Sequence, residues 1–173
     1  MKQVILVKPS FDDLWFRKEC MEDPETMSYN AGYDVSYFGY HYDTGCIDFP
    51  KEKWKAWYDK SMNNPEIFYA YIKDVETNTF VGYINFHKTG DYYSMGVLVN
   101  SKFRGQGYMR PALRELFKEA KRRKIDALYD SVPFSRKNAL QVFLDEGFEI
   151  IETAISTKFG KDDEVAIIRK FIE

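Results

Sequence analysis

The most informative stretch of the sequence reads Val97-Leu98-Val99-Asn100-Ser101-Lys102-Phe103-Arg104-Gly105-Gln106-Gly107-Tyr108-Met109-Arg110-Pro111. It begins with β-branched and apolar residues, passes through a turn with two glycines, and has a proline where a first helical turn would lie. Amides at a helix start lack intrahelical acceptors and sit at the positive end of the helix dipole, so they bind anions. Gly105 and Gly107 let the backbone approach a phosphate closely. The stretch therefore predicts a strand, a phosphate-binding loop and a helix.

Three other interpretations of this glycine pair deserve comparison. Two glycines between a strand and a helix are also typical of a plain tight turn. A Walker loop is excluded, because no Gly-Lys-Ser/Thr follows. A Rossmann fingerprint fits poorly, because it needs a βαβ unit and the preceding residues predict an antiparallel meander.

The rest of the chain predicts one α/β unit. Before the loop the pattern predicts a strand at 4–7, a helix from Ser10 to before Pro24, an irregular segment at 29–49, a helix from Pro50, and strands at 67–72, 80–86 and 92–99. After it come a helix opened by Gly107, a strand at 127–132, a helix at 135–145, and strands at 148–155 and 165–171 with their turn at 160–163. The fold class is therefore α/β, with a mixed, mostly antiparallel sheet of about seven strands flanked by about four helices.

Composition narrows the function classes. The chain has 173 residues, which fits one domain, and a formal net charge of −2, which argues against a general nucleic-acid binder. No apolar run approaches the length of a membrane span, so no membrane association is predicted. Two cysteines and two histidines without metal-like spacing predict no metal site and a reducing compartment, and the expectation is a cytoplasmic protein.

The loop resembles the acetyl-CoA-binding motif of the GNAT superfamily of N-acetyltransferases, Arg/Gln-x-x-Gly-x-Gly/Ala, entered from a strand. The matching positions are Arg104, Gly105, Gln106, Gly107 and Tyr108, while Met109 stands where glycine or alanine is usual. A second stretch, from Asn138 to Phe148, is similar to the family's second helix and its closing Gly-Phe. The two motifs occur in the family's order, so the resemblance implies a single N-acetyltransferase domain over 1–173.

The resemblance also implies a cosubstrate and its contacts. In that family the strand before the loop splays from its neighbour, and the pantetheine arm of acetyl-CoA enters the gap. Main-chain groups of Val97, Leu98 and Val99 would bind that arm, residues 104–109 would hold the pyrophosphate, and Asn138 would contact the cofactor from the second helix. The acetyl carbonyl would lie near the amide of Leu98 or Val99, and the amine would attack it directly.

The catalytic acid and base are not evident from the motif. Ser94 occupies the position of the family's frequent carboxylate base, and Phe143 that of its tyrosine acid. Three residues are candidate replacements: Asp130 inside a short strand, His87 at a strand end, and Tyr129. An edge acid, a solvated histidine and a packed tyrosine are the plain alternatives, and water is a further proton carrier.

The acceptor is predicted from the segment 29–49, which is rich in rings and acids: Tyr29, Tyr33, Tyr37, Phe38, Tyr40 and Tyr42 with Asp34, Asp43 and Asp48. Aromatic faces and carboxylates suit a small cationic amine, although the rings also suit simple loop packing. Two other functions stay open. One is acetylation of a protein N-terminus or lysine; the other is a catalytically degenerate acyl-CoA-binding module. Analogy with the family adds a possible homodimer.

Overall fold

The computed structural model describes all residues, Met1–Glu173, and contains one seven-stranded sheet in the order β1-β2-β3-β4-β5-β7-β6. The strands are β1 Val4–Val7, β2 Ile67–Asp74, β3 Thr79–Thr89, β4 Tyr92–Val99, β5 Ala127–Pro133, β6 Glu149–Lys158 and β7 Lys161–Phe171. The α-helices are α1 Leu14–Met21, α2 Pro24–Met27, α3 Lys51–Met62, α4 Met109–Arg122 and α5 Lys137–Asp145. The predicted α/β class and strand number are confirmed. None of the helices is both long and apolar enough to cross a bilayer.

Two local features add to the prediction. The about four predicted helices are present together with a short fifth, the single turn α2, which forms after the predicted stop at Pro24. The carboxylate of Asp23 accepts hydrogen bonds from the amides of Glu25 and Thr26 and so caps this turn. The last hairpin is also longer than predicted, because Phe159 and Gly160 both take positive φ and close it in a two-residue turn.

The sheet is nearly divided between β4 and β5. Every other neighbouring pair of strands is antiparallel and paired along most of its length. β4 and β5 are parallel and pair only at Tyr93 with Leu128 and at Ser94 with Tyr129. Beyond Ser94 the two strands diverge, so the edge of β4 up to Val99 faces a gap. The splayed strand that the resemblance implied is therefore present.

The two faces of the sheet carry different layers. On one face the apolar stripe of α4, including Leu113 and Leu116, packs against Ile84 and Phe86 of β3 in the main core. On the other face α1 and the segment after it pack against a second buried cluster, which consists of Phe16, Cys20, Met21, Met27, Cys46, Tyr69, Tyr71, Tyr83 and Leu98. The gap between β4 and β5 thus lies between two differently built faces.

A glycine fixes the distance between β3 and the end of β4. A Cβ added at Gly82 would lie 2.1 Å from the carbonyl oxygen of Leu98, so one of the two backbones must move. We expect Gly82→Ala to lower the free energy of unfolding by about 1–3 kcal/mol, the usual range for overpacking, and to lower Tm by roughly 2–4 °C per kcal/mol.

Gly96→Ala is the matched control, because its Cβ would meet only the side-chain amide of Asn85, at 3.2 Å. Thermal unfolding of both variants checks the prediction. Equal stability of the two would contradict the close backbone contact at Gly82.

Candidate active site

A cavity of about 960 Å³ occupies the gap between β4 and β5. Most of the residues predicted to bind the cofactor line it: Val97, Leu98, Val99, Arg104, Gly105, Gly107, Tyr108, Met109 and Asn138. Gln106 is the exception, because it does not line the cavity and its side-chain amide instead donates to the carbonyl oxygen of Lys102, at 3.2 Å. The strand, the loop and the second helix therefore meet at one site, as the motif order indicated.

The loop presents a run of free backbone amides. From Gly105 to Arg110 no N–H donates to any carbonyl or side chain of the protein, and the first intrachain bond is from Ala112 to Tyr108, at 3.2 Å. Gly105 and Gly107 have φ of 74° and 88°, which strains other residues, and a Cβ on either would meet nothing within 4 Å. Successive unpartnered amides at a helix start form an anion site that suits a pyrophosphate.

Backbone groups of β4 also face the gap. The amide of Asn100 donates to the carbonyl oxygen of Val81, at 2.9 Å, which makes these two residues a hydrogen-bonded pair of the β3–β4 ladder. Pairs of this kind alternate along antiparallel strands, so the amide of Leu98 points to β3 and those of Val97 and Val99 point into the gap. Of the two amides expected near the acetyl carbonyl, the register therefore favours that of Val99.

The guanidinium of Arg104 makes three hydrogen bonds to main-chain carbonyl oxygens beside the loop. Its Nε donates to the carbonyl oxygen of Val99, at 3.1 Å. Its Nη1 and Nη2 donate to the carbonyl oxygens of Glu25 and Thr26, at 3.0 and 2.5 Å. The guanidinium thus ties the end of β4 to α2 and keeps its charge beside the loop without a carboxylate partner.

Of the three catalytic candidates, Asp130 alone lines the cavity. Burial raises the pKa of its carboxyl group to about 7, although the amide of Ser131, at 2.8 Å, and the charge of Arg136 both favour the ionised form. A carboxylate poised near neutral pH has the properties of a general base.

The other two candidates lie elsewhere. His87 is exposed on β3, where it pairs in register with Ser94. The Tyr129 ring packs 5.2 Å from the ring of Tyr92 and is not part of the cavity wall.

The two positions that lack the family's usual groups differ in their surroundings. Ser94 lies outside the cavity, and its hydroxyl contacts that of Thr89, at 3.3 Å. Phe143 does line the cavity, but its ring is 3% exposed and packs on Phe148, at 5.1 Å between centroids. Neither position offers a proton donor or acceptor to the cavity.

The aromatic segment contributes less than predicted. Among its rings only Tyr29 and Tyr33 line the cavity, and none of its three aspartates does. Asp48 instead lies 2.9 Å from His41. Three of the other rings pair on the surface, as in Tyr37–Tyr40 and Tyr42–Phe159, and Phe38 is largely exposed. The carboxylates that would hold a cationic acceptor are therefore not at the cavity.

Two arginines at the cavity were missed by sequence reasoning about the site. Arg136 precedes α5, with its guanidinium 5.4 Å from the ring centroid of Tyr29. Arg17 lies in α1 and reaches the cavity from the opposite face of the sheet. One signal for Arg17 was available: it stands between Leu14 and Met21 at i and i+7, so a charge interrupts the apolar stripe of α1.

Comparison with solved structures shows the same fold at low sequence identity. A spermidine N-acetyltransferase from Vibrio cholerae, solved with CoA and spermine, aligns with a TM-score of 0.79 and 12% identity, covering 98% of this chain and 96% of that one. A GNAT-family acetyltransferase from Bacillus anthracis gives 0.74 and 17%, covering 98% and 95%. A putative acetyltransferase from Salmonella typhimurium, solved with acetyl-CoA, gives 0.74 and 14%, covering 98% and 94%.

A search of curated proteins gives no significant match. The family model described as the acetyltransferase (GNAT) family matches residues 28–148, which include β2 to α5, the loop and the gap. The matched region is more than half of the chain and contains the free amides and the splayed strands. The chain therefore belongs to the acetyltransferase (GNAT) family.

Proposed function

We propose that the protein transfers an acetyl group from acetyl-CoA to a primary amine of a small molecule. The observation that carries the proposal is the cavity that joins the free loop amides to the unpaired edge of β4. The loop amides fit a pyrophosphate, and the open amides of Val97 and Val99 fit an extended amide-containing arm. The remaining wall, with Met21, Met27 and Ile47, leaves an apolar space for the acceptor.

Different residues of the cavity have different roles in the reaction. The thioester supplies an activated acetyl carbonyl, and the amide of Val99 is placed to donate to its oxygen as negative charge develops there. The acceptor nitrogen bonds to the carbonyl carbon and the carbon–sulfur bond breaks. Asp130 takes the proton that the nitrogen loses, and transfer of that proton through water to the departing thiolate releases CoA as the thiol and regenerates the carboxylate. Holding both reactants in one cavity supplies much of the rate.

Asp130 favours an enzyme over a binding module without turnover. The usual base and acid positions are occupied by Ser94 and Phe143, which weakens the family's frequent proton path. A half-buried carboxylate with its pKa raised to about 7 inside the same cavity offers another path. A pure acyl-CoA sensor has no need of such a group.

The proposal is tested by thiol release from acetyl-CoA across a panel of small primary amines, with mass spectrometry of the products. We expect at least one amine to raise thiol release well above the rate without acceptor and to carry one acetyl group on nitrogen. Ser94→Ala is the control, because Ser94 lies outside the cavity, and it should match wild type. Binding of acetyl-CoA without acceptor-dependent release would indicate the binding module, and release with peptides alone would indicate a protein acetyltransferase.

A further inference from the structure

The surroundings of Arg17 are unusual for a charged side chain. Its guanidinium carbon lies 4.1 Å from the ring centroid of Trp57, 5.1 Å from that of Phe49, 5.3 Å from that of Tyr69 and 5.6 Å from that of Tyr83. Nη1 donates to the Tyr69 hydroxyl, at 3.1 Å, and Nε is buried without a hydrogen-bond partner. Nη2 makes no hydrogen bond within the chain. Buried donors without partners are costly, so this cation is incompletely satisfied.

Arg17 has no counter-ion in the protein. Burial raises the pKa of Tyr69 to about 12 and that of Tyr83 well above its ordinary value, so both phenols stay neutral at physiological pH. Five other arginines, by contrast, pair with carboxylates at 2.5–2.9 Å: Arg110, Arg114, Arg122, Arg123 and Arg169. The three without such a pair are Arg17, Arg104 and Arg136, and all three line the cavity.

The three unpaired arginines are not equivalent. Arg104 belongs to the phosphate loop and donates to three main-chain carbonyl oxygens, while Arg136 lies against the ring of Tyr29 and its charge favours the ionised form of Asp130. Arg17 comes from α1 and packs on the other face of the sheet, in the layer that contains Tyr83 and Leu98. Its free donors therefore point to a second anion, in the part of the cavity left for the acceptor.

The lining near Arg17 indicates the rest of the acceptor. Asn85 lies two residues beyond Tyr83 on the same face of β3, lines the cavity, and makes no side-chain hydrogen bond within the chain. Met21, Met27 and Ile47 supply apolar walls. Asp130 is the sole carboxylate among the lining residues, against the charges of the arginines. Such a lining opposes a polycation and suits an anionic head on an apolar body.

We propose that the acceptor is an aminocarboxylic acid with an apolar body, whose carboxylate pairs with Arg17. The inference rests on the proposed amine acetylation and names its substrate class. A carboxylate matches the charge and planar geometry of the guanidinium and supplies the acceptor that Nη2 lacks. The spermine held by the Vibrio cholerae neighbour has the opposite charge, so the two proteins differ in acceptor chemistry while sharing a fold.

Matched acceptors test the charge directly. Thiol release is measured with leucine, methionine, phenylalanine and 6-aminohexanoate, each beside its carboxamide, and with spermidine. We expect the best acid to exceed its amide by about 10²-fold in kcat/KM, because the amide leaves the cation unpaired. The amine of an α-amino amide is less basic than that of the acid, so more of it is unprotonated, and amine basicity cannot produce this preference.

Variants of Arg17 separate recognition from packing. In Arg17→Gln the ratio of kcat/KM for acid over amide should fall to near one, while Arg17→Lys, which keeps the charge, should retain part of it. A packing role would lower both rates and leave the ratio unchanged. Acetyl-CoA affinity, measured by calorimetry, reports whether each variant stays folded.

A binding measurement keeps the test independent of turnover. 4-Methylpentanoate has the carboxylate and no amine, and in the presence of CoA it should bind wild type at least tenfold more tightly than Arg17→Gln. Equal binding, or faster reaction of amides or spermidine than of the acids, would overturn the inference and leave amine acetylation standing. If the protein binds acetyl-CoA but none of these compounds increases thiol release, the result would instead count against the proposed function.

Discussion

Gly107→Glu is expected to reduce acetyl-CoA binding by at least 10³-fold while leaving the fold intact. The new carboxylate would stand among the free amides from Gly105 to Arg110, where a pyrophosphate is expected, and would both repel it and occupy its donors. A Cβ at Gly107 meets nothing within 4 Å, so the substitution introduces no clash. Isothermal titration calorimetry with acetyl-CoA measures the loss.

The matched control for this variant is Gly90→Glu. Gly90 also has a positive φ, of 60°, and open space around it, but it lies in the β3–β4 turn away from the cavity. It reproduces the backbone strain and the added charge without touching the loop. Affinity close to wild type in a folded Gly107→Glu protein would show that residues 104–109 do not hold the cosubstrate.

Asp130→Asn is expected to lower kcat/KM by roughly 10²–10⁴-fold, the range for loss of a general base. The base works when deprotonated, and the pKa of Asp130 is about 7, so the wild-type rate should rise with pH through that region. The variant should lose this limb of the pH profile. A near wild-type rate with an unchanged profile would assign proton transfer to water.

Stability supplies an internal control for the same variant. The folded pKa of Asp130 lies above that of the unfolded chain, so between about pH 4 and pH 7 the folded state retains a proton that the unfolded state has lost. This carboxyl group therefore lowers the free energy of unfolding as pH rises through that window. Asp130→Asn removes the effect and should raise Tm at neutral pH, so its lost activity would not come from unfolding.

The fold, and the fact that the loop, the splayed strand and the second helix line one cavity, were largely predictable from local sequence. The strand-to-helix turn at Gly105 and Gly107 has a residue-level signature, and the meander before it follows from alternation and turn residues. The predicted family and enzyme class are confirmed by the family match, and two neighbours of the same fold were solved with CoA or acetyl-CoA. The roles assigned to individual site residues, including Asp130 and Asn138, stay predictions.

The acceptor side was far less predictable, for a physical reason. The packing of the irregular segment 29–49 decides which of its rings reach the cavity. The sequence of this segment has no periodicity from which that packing could be predicted. Arg17 lies far from the motif in sequence and meets it only through the β2–β3–β4 register. Asp34 and Asp43 were predicted to bind a cation from composition, which does not show whether a side chain points into the cavity.

The two residue pairs that join β4 to β5 have a mechanical consequence. Strands β1 to β4 and strands β5 to β7 each form a continuously hydrogen-bonded part of the sheet. Backbone pairing between the two parts is confined to one end of β4 and β5. The hydrophobic core, which includes Ile84 of β3 and Leu128 of β5, therefore supplies most of the contact between the two parts of the sheet. If the proposed binding mode holds, a substrate arm that pairs along Val97 and Val99 would bridge the two parts of the sheet where backbone hydrogen bonds are absent. Bound acetyl-CoA would then limit relative movement of β4 and β5, the strands that carry Val99 and Asp130.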